Sequence, residues 1–461
     1  MNTDELKIFF SNLNLPLSRG KLDIVSFLKK NYAHFNSEIT KLLISKNDET
    51  TIPIQITEEL KMNKEKINEF CKSIITSIEF YIDGRPFEAY KNFNKMMNDV
   101  QNYLLIRDLR EGWIQNRYFR IRPEKVFRRK DLFHIPFNEV TKIKASRYSI
   151  AGFPCLYLGG SKGSDTGLFL CWLECGMPYE FTWSEYKLTN DVPITLIDLS
   201  ISPFFSAITS QQIITSLLNS QDISQYLLNI IFTYPLVAAC SLIADDKGQN
   251  FTPEYITPQM LLQWVRQSEK VKGIAYYSCS NISNTKRVNA FNIVLAPITY
   301  RKNGYCEELS NEFLLSRPEY VDITKILKSK ENRIIEIIGK RNELNQIQQK
   351  SLGIQLIIEM ISLCDSFSNL YYDSVHKYGM GMKNIYQYMV TLRLQSDRLA
   401  NEESLRLIEK EAKSFLPHNS NVGETCKQIF EIIKTINKNI NEIMEFFNEV
   451  VKNKDYCFKH I

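Results

Sequence analysis

The chain is poor in the features that mark specialised protein classes. Glycine (17) and proline (15) are sparse in 461 residues, which excludes long flexible linkers and a collagen-like repeat. The five histidines are dispersed, so a histidine-built metal site or a Ser/His/Asp triad has little to rest on. Ten cysteines are scattered from Cys71 to Cys457 without a Cys-x-x-Cys pair, and Cys171 and Cys175 have no second pair at zinc spacing. Buried free thiols in a reducing cytosol are the expectation. No apolar run is long enough for a membrane span, and Met1 to Glu5 lead into no apolar signal region, so a cytoplasmic protein without membrane contact is expected. There is no GxGxxG or Walker sequence, which argues against Rossmann and P-loop nucleotide binding. No repeat of fixed period is evident.

What is present is an ordinary globular composition, 44% hydrophobic and 24% charged, long enough for about three units. Residues 1–115 read as helical. Leu60, Ile67, Phe70, Ile74, Ile75 and Ile78 recur at helical spacing, Gly84-Arg85-Pro86 breaks the helix, and Phe93, Met96, Met97 and Val100 mark a second. From 116 to 330 short apolar runs alternate with glycine and proline. Cys155–Leu158, Ile194–Leu199, Gly273–Tyr277 and Phe291–Leu295 are strand candidates, with helices around 209–219, 223–233 and 258–268. From 331 to 461 the chain turns helical again. A Gly379-Met380-Gly381 break, a helix around 402–414 and a final isoleucine-striped helix (Ile429, Ile432, Ile433, Ile436, Ile440, Ile443) suggest an antiparallel bundle. That stripe could close the bundle's own core, form an oligomer interface or receive a partner. The fold class is thus α+β: a mixed sheet between N-terminal helices and a C-terminal helical bundle.

The net charge is +5, too mild to argue for nucleic acid. It is not evenly spread. Ten basic residues fall between Arg117 and Arg147, opposed only by Glu124, Asp131 and Glu139, a local +7. A solvated basic face is the plain reading. The sharper one is a single anion-recognition region, since arginine offers a planar fork matched to phosphate oxygens. His134, between Phe133 and Ile135, reads as a satisfied core histidine. Glu174, after Cys171-Trp172-Leu173, is either helix surface or a site acid tuned by burial.

Several motifs in order carry a family likeness. They are Leu132–Phe137, Arg147-Tyr148-Ser149, Gly152–Gly159, Cys171–Glu174, Phe251–Ile256, Pro258–Val265 and Gly273–Ser278. Together they resemble the RES domain, in its longer bacterial form with a helical lead-in. The tail from 331 lies outside the resemblance. RES proteins are toxins of toxin–antitoxin pairs that cleave the nicotinamide–ribose bond of NAD, on an ADP-ribosyltransferase-like split sheet around a cleft. By position, the resemblance implies Arg147, Tyr157 and Glu174 as catalytic residues. It implies nucleotide contacts from Tyr148, Ser278 and either Arg120 or Arg122. Glu174 would stabilise positive charge on the ribose, the arginines would hold the pyrophosphate, and Tyr157 would pack on a ring and donate a hydrogen bond. No metal and no resident cofactor are implied; NAD enters as substrate, with water or phosphate as acceptor. The implied role is a toxin or anti-phage effector, with an antitoxin or regulatory partner and a homo-oligomer through the C-terminal helices as further expectations. The departure from the family lies at Ser161–Gly167, an insertion before the Cys-Trp-Leu-Glu helix. The alternatives are an ADP-ribosyltransferase acting on a macromolecule and a non-catalytic nucleotide-binding module.

Overall fold

The structure is a computed structural model that describes residues 8–13, 15–44, 54–110, 116–189, 193–201, 221–244, 251–279, 290–297, 304–351, 355–376, 382–401, 406, 410, 422–451 and 457–461. The expected helix at 209–219, the break at 379–381 and nearly all of the expected helix at 402–414 lie outside these residues.

After a helical stretch at 8–11, the N-terminal region carries α1 (Ile24–Ile44), α2 (Ile54–Ile82) and α3 (Pro86–Val100). The break between α2 and α3 is a Gly84 at φ +75° followed by Pro86 in the first turn of α3, where a missing N–H costs nothing. Ala89, Phe93, Met96, Met97 and Val100 form the buried face of α3, as their spacing requires. Strand β1 (Ile106–Asp108) follows and already belongs to the sheet, because it pairs with β5 (Thr195–Leu199). The first sheet strand therefore precedes residue 115.

The remaining central elements are β2 (Asn116–Arg122), β3 (Leu156–Lys162), α4 (Thr166–Glu174), β4 (Glu180–Leu188), α5 (Gln221–Cys240), α6 (Ile256–Gln267), β6 (Gly273–Tyr276), β7 (Ala290–Leu295), α7 (Glu307–Glu312), β8 (Phe313–Leu315), β9 (Glu319–Asp322) and α8 (Ile323–Ser329). All four strand candidates are strands. Among the described residues nine strands form one mixed sheet in the order β1-β5-β6-β7-β3-β2-β4-β8, with β9 also on β4, and of these pairs β5 and β6 alone run parallel. β2 and β4 were not legible as apolar runs. In β2 arginines interrupt the pattern, although Tyr118, Phe119, Arg120 and Ile121 are all buried.

The tail comprises α9 (Glu331–Ser351), α10 (Gln355–His376), α11 (Met382–Leu399), α12 (Val422–Met444) and the short α13 (Phe446–Glu449). α9, α10, α11 and α12 pack as a ring, each on two others. Ile429, Ile432, Ile433, Ile436, Ile440 and Ile443 are buried inside it. Of the three uses weighed for that stripe, the structure shows the first: it closes the bundle's own core. This core continues into the sheet. Trp172 of α4 packs its ring at a tilt on Phe447 (5.4 Å between centroids) and edge-on to Phe446 (5.9 Å), so the tail backs the helix that ends at Glu174. The N-terminal helices share a second core with α5 and α6. Among the described residues no helix is long and apolar enough to cross a membrane.

Candidate functional site

The site lies where two neighbouring strands part. β2 and β3 pair from Asn116–Lys162 to Phe119–Gly159 and no further. Beyond that point β2 stays on β4, out to Arg122–Thr182, while β3 stays on β7, down to Leu156–Leu295. The sheet is thus one hydrogen-bonded path with a fork in it, rather than two separate halves. The Arg120 guanidinium closes the apex of the fork by donating from Nη1 to the Tyr157 carbonyl (2.7 Å). A cavity of about 450 Å³ opens there.

The connection from β3 to α4 brings a carboxylate to the same place. The insertion at 161–167 forms the end of β3, a tight turn with Gly163 at φ +63° and the start of α4. The helix then runs back over the strand. From Tyr157 to Lys162 the strand advances roughly 16 Å, and from Thr166 to Glu174 the helix returns roughly 12 Å. Two glycines permit the contact. A Cβ on Gly159 would lie 2.3 Å from the Gly167 carbonyl oxygen and 2.6 Å from Cys171 Sγ. Glu174 therefore lines the cavity together with Tyr157, insertion notwithstanding.

The basic window divides sharply. Arg120, Arg122 and Arg147 line the cavity. Arg117 does not: it holds Glu185 through two bonds (2.8 and 2.9 Å) and also pairs with Asp165. Arg128 pairs with Asp131 (3.0 and 2.8 Å), Lys142 with Glu139 (2.6 Å), and Arg129 donates to the carbonyls of Leu315 and Cys457. The expectation of one anion-recognition region across 117–147 is corrected to three arginines. The other cations named here are spent on carboxylates and carbonyls that folding brings to them, several from outside the window.

The three cavity arginines differ from one another. Arg120 is 8% exposed, and its Nε has no hydrogen-bond partner. Arg122 donates to the carbonyls of Asp131 (3.2 Å) and Phe133 (3.3 Å); burial, and then the neighbouring Arg120 charge, pull its pKa down to about 10. A carbonyl neutralises no charge, so both cations face the cavity with their charge uncompensated by an ion pair at that point. Arg147 donates Nη1 to the Cys240 carbonyl (2.9 Å) and Nη2 to the Leu242 carbonyl (2.6 Å), at the C-terminal end of α5, where orphan carbonyls attract a cation. Its guanidinium also lies over the Tyr255 ring, 5.2 Å from the centroid. Arg147 thus braces the cavity wall as well as lining it.

The aromatic wall is built from Tyr148, Tyr157, Tyr255 and Tyr276. Tyr148 and Tyr276 pack with ring centroids 4.3 Å apart. The Tyr157 hydroxyl donates to the Tyr148 carbonyl (2.7 Å), and burial pushes its pKa up. That is a correction: the hydrogen of Tyr157 expected for a substrate is used to pin the loop carrying Arg147. Ser278 is buried (9% exposed) and is not part of the cavity wall, whereas Tyr277 and Cys279 on either side of it are. Glu174 is exposed at the last turn of α4, so the helix-surface reading holds, at the cavity mouth.

The sequence reading missed Asn292. It is 6% exposed in the middle of β7, and its Nδ2 donates to Glu174 Oε1 (3.3 Å). No composition or spacing signal marks one asparagine in an apolar strand. Tyr255 and Tyr276 were quoted within motifs but assigned no role. Cys171 lines the cavity as a thiol whose pKa burial raises, and it donates to the Phe119 carbonyl (3.2 Å), which makes it no nucleophile. His134 is a satisfied core residue: Nδ1 meets the Ile135 carbonyl (2.7 Å), Nε2 accepts from the Cys306 amide (2.8 Å), and burial pulls its pKa down to about 4. Among the described residues no cluster of three or more His, Cys, Asp or Glu could hold a metal ion.

Comparison with known proteins gives one informative similarity. The chain is 32% identical over 327 residues to "Putative toxin YopC" of Bacillus subtilis (strain 168), covering 68% of this chain and 70% of that protein. No family model matches the chain. No solved structure matches it.

Proposed function

This chain belongs to the family of "Putative toxin YopC", and on that premise we propose that it is a toxin that consumes NAD by cleaving the nicotinamide–ribose bond. One observation carries the reading. Buried Arg120 and half-buried Arg122, neither with a carboxylate partner among the described residues, share a tyrosine-walled cavity with the Glu174 carboxylate. That is the complement of a dinucleotide: phosphates for the arginines, planar rings for the tyrosines, and a developing positive charge for the carboxylate. The RES-like motifs supply these same residues and support the same chemistry.

In this reading the bond between ribose C1′ and the nicotinamide nitrogen breaks, and its electron pair neutralises the pyridinium. C1′ takes on oxocarbenium character, which the Glu174 carboxylate stabilises. Water or phosphate then attacks C1′, and the released proton passes to Glu174 or solvent. Arg120 and Arg122 hold the pyrophosphate, and Arg147 and Tyr157 keep the wall in place. An antitoxin that covers this cavity is the control that fits a toxin. The exposure of Glu174 favours one second reading, an ADP-ribosyltransferase with a macromolecular acceptor, because a large nucleophile can reach it.

The test is free nicotinamide from NAD incubated with the full chain. Release is expected from wild type and should fall roughly 10²–10³-fold in Glu174→Gln. No release by wild type, or equal release by the variant, overturns the reading. Label from NAD appearing on a macromolecule faster than free ADP-ribose selects the transferase.

A further inference from the structure

We infer that Asn292 is the positioning residue for the Glu174 carboxylate; this rests on the assignment of Glu174 above. An exposed glutamate at a helix end has many rotamers open to it. The hydrogen bond from Asn292 Nδ2 to Oε1 selects one that faces the cavity. Sheet register explains how. Asn292 is the cross-strand partner of Tyr276 on β6 and of Gly159 on β3. Directly opposed residues project to the same face of a sheet. On one side, then, Asn292 has the ring of a cavity-wall tyrosine. On the other it has a glycine with no side chain, over which α4 passes. Cys171 of α4 sits against Gly159, and Glu174, three residues on and nearly one turn further along the helix, comes within reach of the amide. Asn292 is followed by Ile293, Val294 and Leu295, all fully buried, so a polar side chain there is out of keeping with its strand. A role toward Glu174 accounts for it.

The geometry also predicts what the acid analogue does. Asn292→Asp changes shape little but sets a second carboxylate against Glu174, and two carboxylates sharing a site cannot both ionise freely. The other titratable groups lining the cavity are Arg120 and Arg122 on β2, Arg147 and Tyr148 on one loop, Tyr157 on β3, Cys171 and Cys175 on either side of Glu174, Tyr255, and Tyr276, Tyr277 and Cys279 at the end of β6. None of these is changed by the substitution.

The experiment titrates the Glu174 side-chain carboxyl by carbon NMR, assigned by its loss in Glu174→Gln, in wild type, Asn292→Ala and Asn292→Asp. Nicotinamide release is measured on the same samples between pH 4.5 and 8. In Asn292→Asp the Glu174 carbon should report two coupled steps shared with the new carboxyl, the buried member of the pair holding its proton to higher pH. The acid limb of turnover should move with these steps. Asn292→Ala should lower kcat roughly tenfold or more with KM within about threefold, since a lost orientation affects the transition state and not ligand capture. A Glu174 titration curve in the folded Asn292→Asp protein identical to wild type, with no second step, overturns the inference, whether or not NAD is cleaved. Wild type that releases no nicotinamide while the second step appears in Asn292→Asp overturns the NAD reading and leaves the positioning contact standing.

Discussion

The two ends of β2 carry arginines in opposite situations. At the start of the strand, Arg117 is held by Glu185 and Asp165, and both flanking strands are hydrogen-bonded in place. Three residues on, past the last rung of the β2/β3 ladder, Arg120 is more deeply buried yet has a carbonyl and an unpartnered Nε where Arg117 has two carboxylates. Burying a cation without a counter-ion is costly, and folding has alternatives, as Arg117 demonstrates. On the proposed reading the difference has a use: the fork suits a ligand that supplies the missing negative charge, whereas the first half of the strand satisfies its own.

The largest effect expected from this contrast is at Arg120. Arg120→Ala should reduce nicotinamide release roughly 10²–10³-fold, by removing a charge-assisted contact in a cavity of low dielectric. Its melting temperature should stay near that of wild type, because the deleted charge has no ion pair to lose. A variant that unfolds easily yet turns over normally would reverse the roles of the two ends.

Arg117→Ala should do the converse. Glu185, with only 5% of its side chain exposed, would be left as a buried charge without its bidentate partner. Breaking such a pair costs about 3 kcal/mol, read as a lower midpoint in denaturant. Turnover by the folded fraction should be unchanged. A cut in turnover without a loss of stability would make the Arg117 pair part of the site.

A smaller effect concerns the segment behind the fork. Arg122 is held by the carbonyls of Asp131 and Phe133, and His134 pins that segment to Ile135 and Cys306. His134 has a folded pKa of about 4, depressed from 6.5 by burial. Below pH 6.5 the unfolded chain takes up a proton that the folded chain refuses, so stability falls as pH drops from 6.5 toward 4. Between pH 7 and pH 5 the loss is about 2 kcal/mol. His134→Gln should flatten that part of a stability-against-pH curve, and an equally steep curve in the variant would locate the acid sensitivity elsewhere.

The same contrast explains what could be read from the sequence. β3, β5, β6 and β7 were legible because they are apolar runs bounded by turn residues. β2 was not, because its arginines look like a surface; only the fork and the distant Glu185 and Asp165 explain why some are buried and paired. β4 hides similarly: Phe181 and Trp183 alternate, but Glu185 interrupts the pattern to meet Arg117. The family resemblance singled out Arg147, Tyr157 and Glu174 together, and all three line one cavity. Their partners were not. The carbonyls that occupy Arg147, the loop that takes the Tyr157 hydroxyl and the Asn292 amide are long-range contacts with no local signature.

The smallest expected effect decides how the charge of the window acts. If 117–147 were one cationic region, each basic residue would add a similar share to the affinity for an anionic ligand, and every share would fade with salt. If only the fork matters, the exposed pairs contribute nothing to it. Arg128 and Lys142 are the sharp cases: their side chains are 66% and 68% exposed, and each is already matched by a carboxylate of its own, Asp131 and Glu139. Charge removed from such a pair leaves one exposed carboxylate, whose field is screened within about 8–10 Å at physiological ionic strength. Titration of ADP-ribose into Arg128→Ala and Lys142→Ala should therefore return affinities within about twofold of wild type, at low and at physiological salt. Arg122→Ala, by contrast, should weaken binding at least about tenfold under both conditions, since a half-buried cation lining a cavity is less screened than an exposed one. A uniform decline across all three variants, steepest at low salt, would show that the ligand meets a field and not a site, and the distinction between the two ends of β2 would then be one of stability alone.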